Sequence, residues 1–415
     1  MKWTLFITSL IFFTQTLYAQ VEELTFTSNG WELEASLYLP EGDGPFKAAV
    51  LVHGSGPVNR YQTIPLNDGN SQCINPQLFG DTIQNFSDIA LHLQANNIAV
   101  LTYDKRTFTH GVALNPITVT PKDFVNDAES AVNYLAGRTE IDEDQIFLIG
   151  HSQGAGLIPI IAQNVKVAGL VSLAGAVTPP DTLVANQFRN LYLQCLDDTV
   201  SGDAVANSFY SEFSKIRNNE LVDTQQIFIN FPNNPNLIPY GFPIFWSDWF
   251  EMTDNVIENY NAANLPTLVI QGTNDWNVPI NDVYRLENGL PTGLTTVEIF
   301  EGINHFLTPV DDPMVDANIL AAISSWIEQP VVMPNVESHS IFENVAVTYN
   351  NNKILINTAI SLDAAFVSTV DGKLIENITF KNVGLHNIKV PSRNKIVMLT
   401  LIKEEAIFTK KILLY

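Results

Sequence analysis

Gly150-His151-Ser152-Gln153-Gly154, entered from the apolar run Ile146-Phe147-Leu148-Ile149 and followed by the helix-forming residues 155–163, decides how this chain is read. A strand that turns sharply into a helix holds a serine hydroxyl exposed, within reach of a base and beside free backbone N–H groups. Such a turn tolerates no bulk two residues before or after the serine, which is the physical content of Gly-x-Ser-x-Gly. The five-residue pattern is common by itself. Its position between a β-type run and a helical one is what gives it weight, and it makes Ser152 the candidate nucleophile.

A serine nucleophile needs a base and an acid to orient that base. In architectures built on such a nucleophile elbow they follow in the order Ser, Asp or Glu, His. The apolar run Thr267-Leu268-Val269-Ile270 leads into Gln271-Gly272-Thr273-Asn274-Asp275-Trp276-Asn277-Val278-Pro279, which puts Asp275 just past a strand end. The next short strand, residues 296–300, is followed by Glu301-Gly302-Ile303-Asn304-His305-Phe306, so His305 occupies the next strand-end loop. All three then lie at the C-terminal ends of strands, where open α/β sheets build their sites.

Of the seven histidines, the other six are set aside by position. His151 sits in the elbow with its side chain directed away from the serine. His92 falls on a predicted helix, His110 in a loop, and His339 and His386 beyond the region that carries the serine. His53 opens the turn His53-Gly54-Ser55-Gly56-Pro57 after a strand over 48–52. There the backbone N–H of Ser55 or Gly56 would form one half of an oxyanion hole, with the N–H of Gln153 as the other. Asp104, at the end of a strand over 99–103, is the competing acid, and it reads instead as a structural pair with Arg106.

The chain of 415 residues predicts two domains. Residues 1–19, with Lys2, an apolar stretch over 5–13 and Leu17-Tyr18-Ala19, have the layout of a secretory signal peptide cleaved after Ala19. The stretch is too short to span a bilayer, and no other segment is long and apolar enough. Cys73 and Cys195 are the only cysteines and leave a single disulfide open, with no catalytic or metal role. A formal charge of −23 argues against nucleic acid and anionic membranes as partners.

Alternation over 24–26 and 33–39 around Ser28-Asn29-Gly30 predicts a hairpin. From residue 48, strands and helices alternate, including a helix over 86–96 and another from Thr120-Pro121-Lys122-Asp123 to about Ala136, closed by Gly137. This rhythm implies a doubly wound, mostly parallel sheet. It stops over about 176–264, too long for a loop, so an inserted cap is expected there. The cap includes a helix-like stretch over 203–217 and an aromatic-rich one over 240–250, whose rings either line a pocket or pack the cap onto the sheet. A linker over 330–340 precedes short strand-like runs at 346–349, 353–357, 365–369, 387–390, 395–402 and 406–414, read as a small all-β sandwich over 341–415.

With these pieces assembled, residues 24–329 resemble the α/β-hydrolase superfamily, nearest its secreted dienelactone-hydrolase and prolyl-oligopeptidase branches. The likeness rests on Val52-His53-Gly54-Ser55-Gly56-Pro57, Ala99-Val100-Leu101-Thr102-Tyr103-Asp104-Lys105-Arg106, the elbow, Asn274-Asp275-Trp276-Asn277-Val278-Pro279 and Gly302-Ile303-Asn304-His305. The departure is Thr107-Phe108, where relatives commonly carry a glycine. The resemblance implies carboxylic-ester hydrolysis by Ser152, His305 and Asp275, without metal or organic cofactor. A prolyl-oligopeptidase-like peptidase, a thioesterase and a non-catalytic binding protein remain as rivals. The tail, through Phe366-Val367-Ser368-Thr369-Val370-Asp371-Gly372-Lys373-Leu374-Ile375 and Phe408-Thr409-Lys410-Lys411-Ile412-Leu413-Leu414-Tyr415, resembles the C-terminal sorting domain of type IX secretion cargo. That likeness implies the outer-membrane secretion machinery as a partner and a secreted or cell-surface location.

Overall fold

Asn29 and Gly30 both adopt positive φ, 48° and 83°, as a two-residue hairpin turn requires, and they join β1 (Gln20–Ser28) to β2 (Trp31–Leu39) in antiparallel register. The computed structural model describes residues 20–329 except 233 and 292, together with 345–350, 353–358, 362–368, 374–379, 384–389, 396–403 and 406–413. The expected leader at 1–19, the expected linker at 330–340 and parts of both tail motifs lie outside the described residues. The chain divides into two compact units, Met1–Val331 and Val332–Tyr415.

In the first unit β3 (Phe46–Val52) is followed by a long connection holding β4 (Thr63–Pro65), α1 (Gly69–Ile74) and β5 (Thr82–Gln84). Then come α2 (Asn85–Ala95), β6 (Ile98–Tyr103), α3 (Arg106–Thr109) and α4 (Pro121–Ala136). β7 (Ile141–His151), α5 (Gln153–Ile161) and β8 (Gly169–Leu173) complete the run before the insertion. The start of α4 is written in its first four residues. Asp123 accepts the N–H of Thr120 at 3.0 Å, Pro121 supplies a preset φ, and Phe124, Ala128, Ala131 and Leu135 form its buried stripe.

The insertion carries α6 (Pro180–Leu196), α7 (Thr199–Arg217), the two-residue strands β9 (Phe228–Ile229) and β10 (Ile238–Pro239), α8 (Pro243–Thr253) and α9 (Val256–Ala263). The sheet then resumes with β11 (Thr267–Gly272), α10 (Asn281–Gly289), β12 (Thr295–Phe300) and α11 (Ala317–Glu328). The eight strands lie in the order β1-β2-β6-β3-β7-β8-β11-β12, and every neighbouring pair from β6 to β12 is parallel. This is an α/β-hydrolase fold, as the alternating pattern predicts. From β3 the chain winds first to β6 on one side and then to β7 on the other, which opens a crevice at the ends of these strands.

Strand periodicity divides the core. Ala48, Val50 and Val52 face a cluster with α4 and α5, while Ala49 and Leu51 face one with α2 and α11. The insertion has an aromatic core of its own, built from Phe209, Phe213, Trp246, Trp249 and Phe250. Contacts that attach it to the body include Tyr260 donating to the carbonyl of Ala155 at 2.7 Å, Gln187 donating to that of Asn277 at 3.0 Å, the N–H of Lys122 donating to Asp248 at 2.9 Å, and a disulfide between Cys195 on α6 and Cys73 on α1.

The second unit is all-β. β13 (Val345–Asn350), β14 (Lys353–Thr358) and β17 (Gly384–Lys389) make one antiparallel sheet. β16 (Leu374–Thr379), β15 (Ala364–Ser368), β18 (Ile396–Lys403) and β19 (Ala406–Leu413) make another. β16 is an addition to the strands predicted above. Its sequence Leu-Ile-Glu-Asn-Ile-Thr breaks the apolar alternation, and pairing with β15 supplies what the pattern lacks.

The cross-link spans 122 residues and joins the insertion to the long β3 connection, so it removes much freedom from the unfolded chain. A Cys73→Ser/Cys195→Ser variant is expected to lose roughly 2–4 kcal/mol. Guanidinium unfolding followed by tryptophan fluorescence checks this, since Trp246 and Trp249 report on the cap core.

Candidate active site

Ser152 stands between β7 and α5 with φ 54° and ψ −114°, a backbone conformation that a non-glycine residue keeps only when its surroundings enforce it. The enforcement is close backbone approach. A Cβ on Gly154 would lie 2.1 Å from the carbonyl oxygen of Val52, and one on Gly150 would lie 2.5 Å from that of Gly154. Both positions therefore exclude any side chain without a backbone shift. The serine's own N–H is held by the Leu173 carbonyl at 2.9 Å.

The hydroxyl of Ser152 is 3.1 Å from His305 Nε2, and His305 Nδ1 is 2.8 Å from Asp275 Oδ2. Because a carboxylate only accepts, Nδ1 carries the proton of the neutral ring, and the lone pair of Nε2 faces the serine. Asp275 is fixed from three further directions. Gln271 Nε2 donates to Oδ2 at 2.8 Å, and the N–H groups of Asn277 and Val278 donate to Oδ1 at 2.8 and 2.9 Å. The structure thus brings together the three side chains selected from sequence. Ser55, Gly56 and Gln153 line the cavity in front of Ser152.

Asp104 does not pair with Arg106. Its carboxylate takes the backbone N–H of Arg60 at 2.7 Å and two guanidinium donors of Arg60 at 3.1 Å, while Arg106 turns to Asp123 and Asp127 on α4. Residues 104 and 106 straddle the end of β6 and the start of α3, so the chain turns between them and sends the side chains to different partners. Asp104 is spent on that ion pair, and Asp275 is the carboxylate at His305.

His151 points away from the serine, yet it serves the site from behind. Its Nε2 donates to the backbone carbonyl of His305 at 2.8 Å, and its Nδ1 therefore accepts from Gln62 Nε2 at 2.8 Å. Gln62 Oε1 in turn accepts the N–H of Gly54 at 3.0 Å. One buried chain of amides and imidazole thus ties the Gly54 turn to the loop that carries His305. Sequence reasoning missed Gln62 and Gln271, since a lone glutamine in a loop or a strand gives no periodic signal.

The cavity measures about 830 Å³ and runs from Ser152 into the insertion, where Tyr240, Phe242, Phe245, Trp246 and Trp249 line it. Trp246 and Trp249 belong also to the aromatic core of the cap, so both readings of that stretch apply at once. No Asp or Glu is among the lining residues, although the chain as a whole has a formal charge of −23.

The sequence profile of the family described as serine aminopeptidase, S33 matches residues 79–311, more than half of the chain. The chain belongs to this family. The S33 profile takes in the elbow, Asp275 and His305. Esterase EstD of Thermotoga maritima is 30% identical to this S33 chain over 319 residues, which cover 74% of this chain and 67% of the relative. Among solved structures, the esterase domain of a Rhodothermus marinus protein aligns with a TM-score of 0.44 at 17% identity, over 74% of this chain and 97% of that one. Est1E from Butyrivibrio proteoclasticus aligns with a TM-score of 0.43 at 13% identity, over 74% and 96%.

Burial pushes His53 and His151 down from the ordinary 6.5 to about 3, with the charge of Lys105 adding to the effect on His53 and His305 adding to that on His151. The folded protein keeps both rings neutral while an unfolded chain protonates them. Their stabilising contribution is full above about pH 6.5 and is lost as pH falls toward 3. Each ring adds about 1.4 kcal/mol per pH unit to the slope in that window. Urea unfolding between pH 7 and pH 4 is expected to show stability falling with pH, and a His53→Phe variant that folds should show a shallower fall.

Proposed function

We propose that this S33-family chain is a secreted serine esterase that cleaves carboxylic esters of bulky, apolar acids or alcohols through an acyl-enzyme. The observation that carries the reading is the continuous hydrogen-bonded series Ser152–His305–Asp275 at the mouth of an apolar cavity. Ser152 Oγ attacks the ester carbon as its proton passes to His305 Nε2. The N–H groups of Gln153 and of Ser55 or Gly56 receive the oxyanion. The tetrahedral adduct collapses, the carbon–alkoxy bond breaks, and His305 returns the proton to the leaving alcohol. Water, deprotonated by the same imidazole, then attacks the acyl-serine and releases the acid and the free hydroxyl. Asp275 keeps the ring in the required tautomer and stabilises the imidazolium formed in each half-reaction.

The aminopeptidase in the family's description is the competing reading. An aminopeptidase must neutralise the ammonium of its substrate, which calls for a carboxylate in the pocket. Among the described residues the cavity lining holds Lys105 and no acid, which favours an uncharged ester. Thr107, Thr178 and Gln187 supply a few polar contacts among the aromatic rings. The same proposal includes export by the leader at 1–19 and sorting by the tail at 341–415. A disulfide between Cys73 and Cys195 suits the oxidising compartments such a route reaches.

Incubation with a fluorophosphonate probe is expected to label Ser152 and no other residue, as read by peptide mapping, and Ser152→Ala should abolish labelling and turnover together. A panel of p-nitrophenyl esters set against aminoacyl amides should show turnover of aromatic and longer acyl esters only. Rapid cleavage of a free-amine amide would replace the esterase reading with the peptidase one.

Asp275→Asn is expected to lower kcat by roughly three to four orders of magnitude by disturbing the His305 tautomer. Asp104→Asn should leave a readily measured rate in protein of intact fold. Equal losses in the two folded variants would return the orienting role to Asp104.

A further inference from the structure

Lys105 is buried between the two loops that carry the proposed oxyanion donors, and the mechanism above gives it no part. Its Nζ donates to the carbonyl oxygen of Gly54 at 2.8 Å and to Gln153 Oε1 at 3.0 Å, and it lies 4.1 Å from the centre of the Phe124 ring. The carbonyl of Gly54 and the N–H of Ser55 belong to one planar peptide unit. An ammonium bonded to that oxygen fixes the plane of the amide. It also draws electron density through the conjugated C–N bond, so the N–H on the far side becomes a stronger donor. The second bond acts on the other half of the site by pinning the side chain of Gln153, the residue whose N–H supplies the second donor.

We infer that Lys105 is a positioning residue that locks the peptide 54–55 and Gln153 into one oxyanion-binding unit and strengthens the Ser55 N–H as a donor. The inference rests on the reading of Ser152 as nucleophile and assigns the first donor to Ser55 rather than Gly56. Burial opposes the charge this role needs, so the ammonium form predominates only below about pH 7. Desolvation drives its ammonium down to about 7, which the charge of Asp127 only partly offsets. Asp127 is itself bound by Arg106, and the neighbouring His53 stays neutral. A neutral side chain would serve as a mere spacer at less cost. What a cation adds is polarisation of the one amide that matters to the transition state.

The test separates transition-state from ground-state binding. Lys105→Met preserves length and volume while removing both hydrogen bonds of the ammonium. With an aryl ester substrate, kcat is expected to fall roughly 10- to 100-fold while KM stays within about threefold, since the donor is weakened rather than removed. A trifluoromethyl ketone, which adds Ser152 Oγ and places an oxyanion in the hole, should lose affinity by the same factor as kcat/KM. The corresponding secondary alcohol, which forms no adduct, should bind unchanged. A folded Lys105→Met enzyme with unaltered kcat, or one in which ketone and alcohol weaken equally, overturns the inference.

If Lys105→Met yields no folded protein, Gln153→Met keeps the backbone donor and cuts one arm of the clamp. It is expected to weaken the ketone several-fold with the alcohol unaffected, and unchanged ketone affinity overturns the proposal. Fluorophosphonate titration of the wild type keeps the two readings apart. No label on Ser152 removes the esterase mechanism itself. Full labelling together with an undiminished Lys105→Met rate removes only the role of Lys105.

Discussion

The close approach of the elbow backbone to β3 is the constraint on which the site depends. With Gly154 pressed against the Val52 carbonyl, α5 can start immediately at the sheet edge, and the positive φ of Ser152 follows from that geometry. The strain projects the hydroxyl clear of the sheet and leaves the N–H of the first helical residue, Gln153, without an intrahelical partner. Because β3 and β7 are adjacent parallel strands, the Gly54 turn emerges beside the elbow, and the two proposed donors arrive together. The candidate nucleophile and the proposed oxyanion donors are thus placed by one packing contact.

Around that contact the protein builds with buried polar groups in place of an apolar plug. Gln62 bonds Gly54, Asn85 and His151, His151 bonds Gln62 and the carbonyl of His305, and Gln271 bonds Asp275 and the carbonyl of Val278 on the loop that follows its own strand. Such bonds add little net stability but cost much to leave unmade, so they make the loop arrangement specific. Desolvation of His53 and His151 keeps their rings neutral, while His305 Nε2 is the imidazole nitrogen 3.1 Å from the Ser152 hydroxyl. The cap completes the environment. Its tryptophans and phenylalanines hold the insertion together and at the same time present an acid-free wall to the cavity.

Much of this was legible in the sequence wherever one local pattern has one physical meaning. Asn29-Gly30 can scarcely be other than a hairpin turn, Thr120 to Asp123 writes a helix start, and the glycines around Ser152 announce a turn without room for side chains. The cap was legible mainly as an interruption. Its helix α6 begins after Pro179 and buries only Pro180, Val184, Ala185 and Tyr192, which is too sparse a stripe to stand out by period. The pairing of Asp104 with Arg106 was misread because closeness in sequence suggested contact, whereas the chain turns at Lys105 and each side chain found a partner on another element.

The sequence by itself marked the alternation of strands and helices in the sheet, the elbow, and the candidate serine, acid and base, since each is written in a run of neighbouring residues. Only the tertiary structure decided that Cys73 meets Cys195, that Arg60 takes Asp104, that His151 supports the backbone of His305, and that Lys105 bridges Gly54 and Gln153. These contacts join residues from about 40 to more than 150 positions apart, formed across crossovers of the sheet. No period or local propensity records which distant side chain will fill a given polar vacancy. That choice is made only when the strands have packed and every buried donor must find an acceptor.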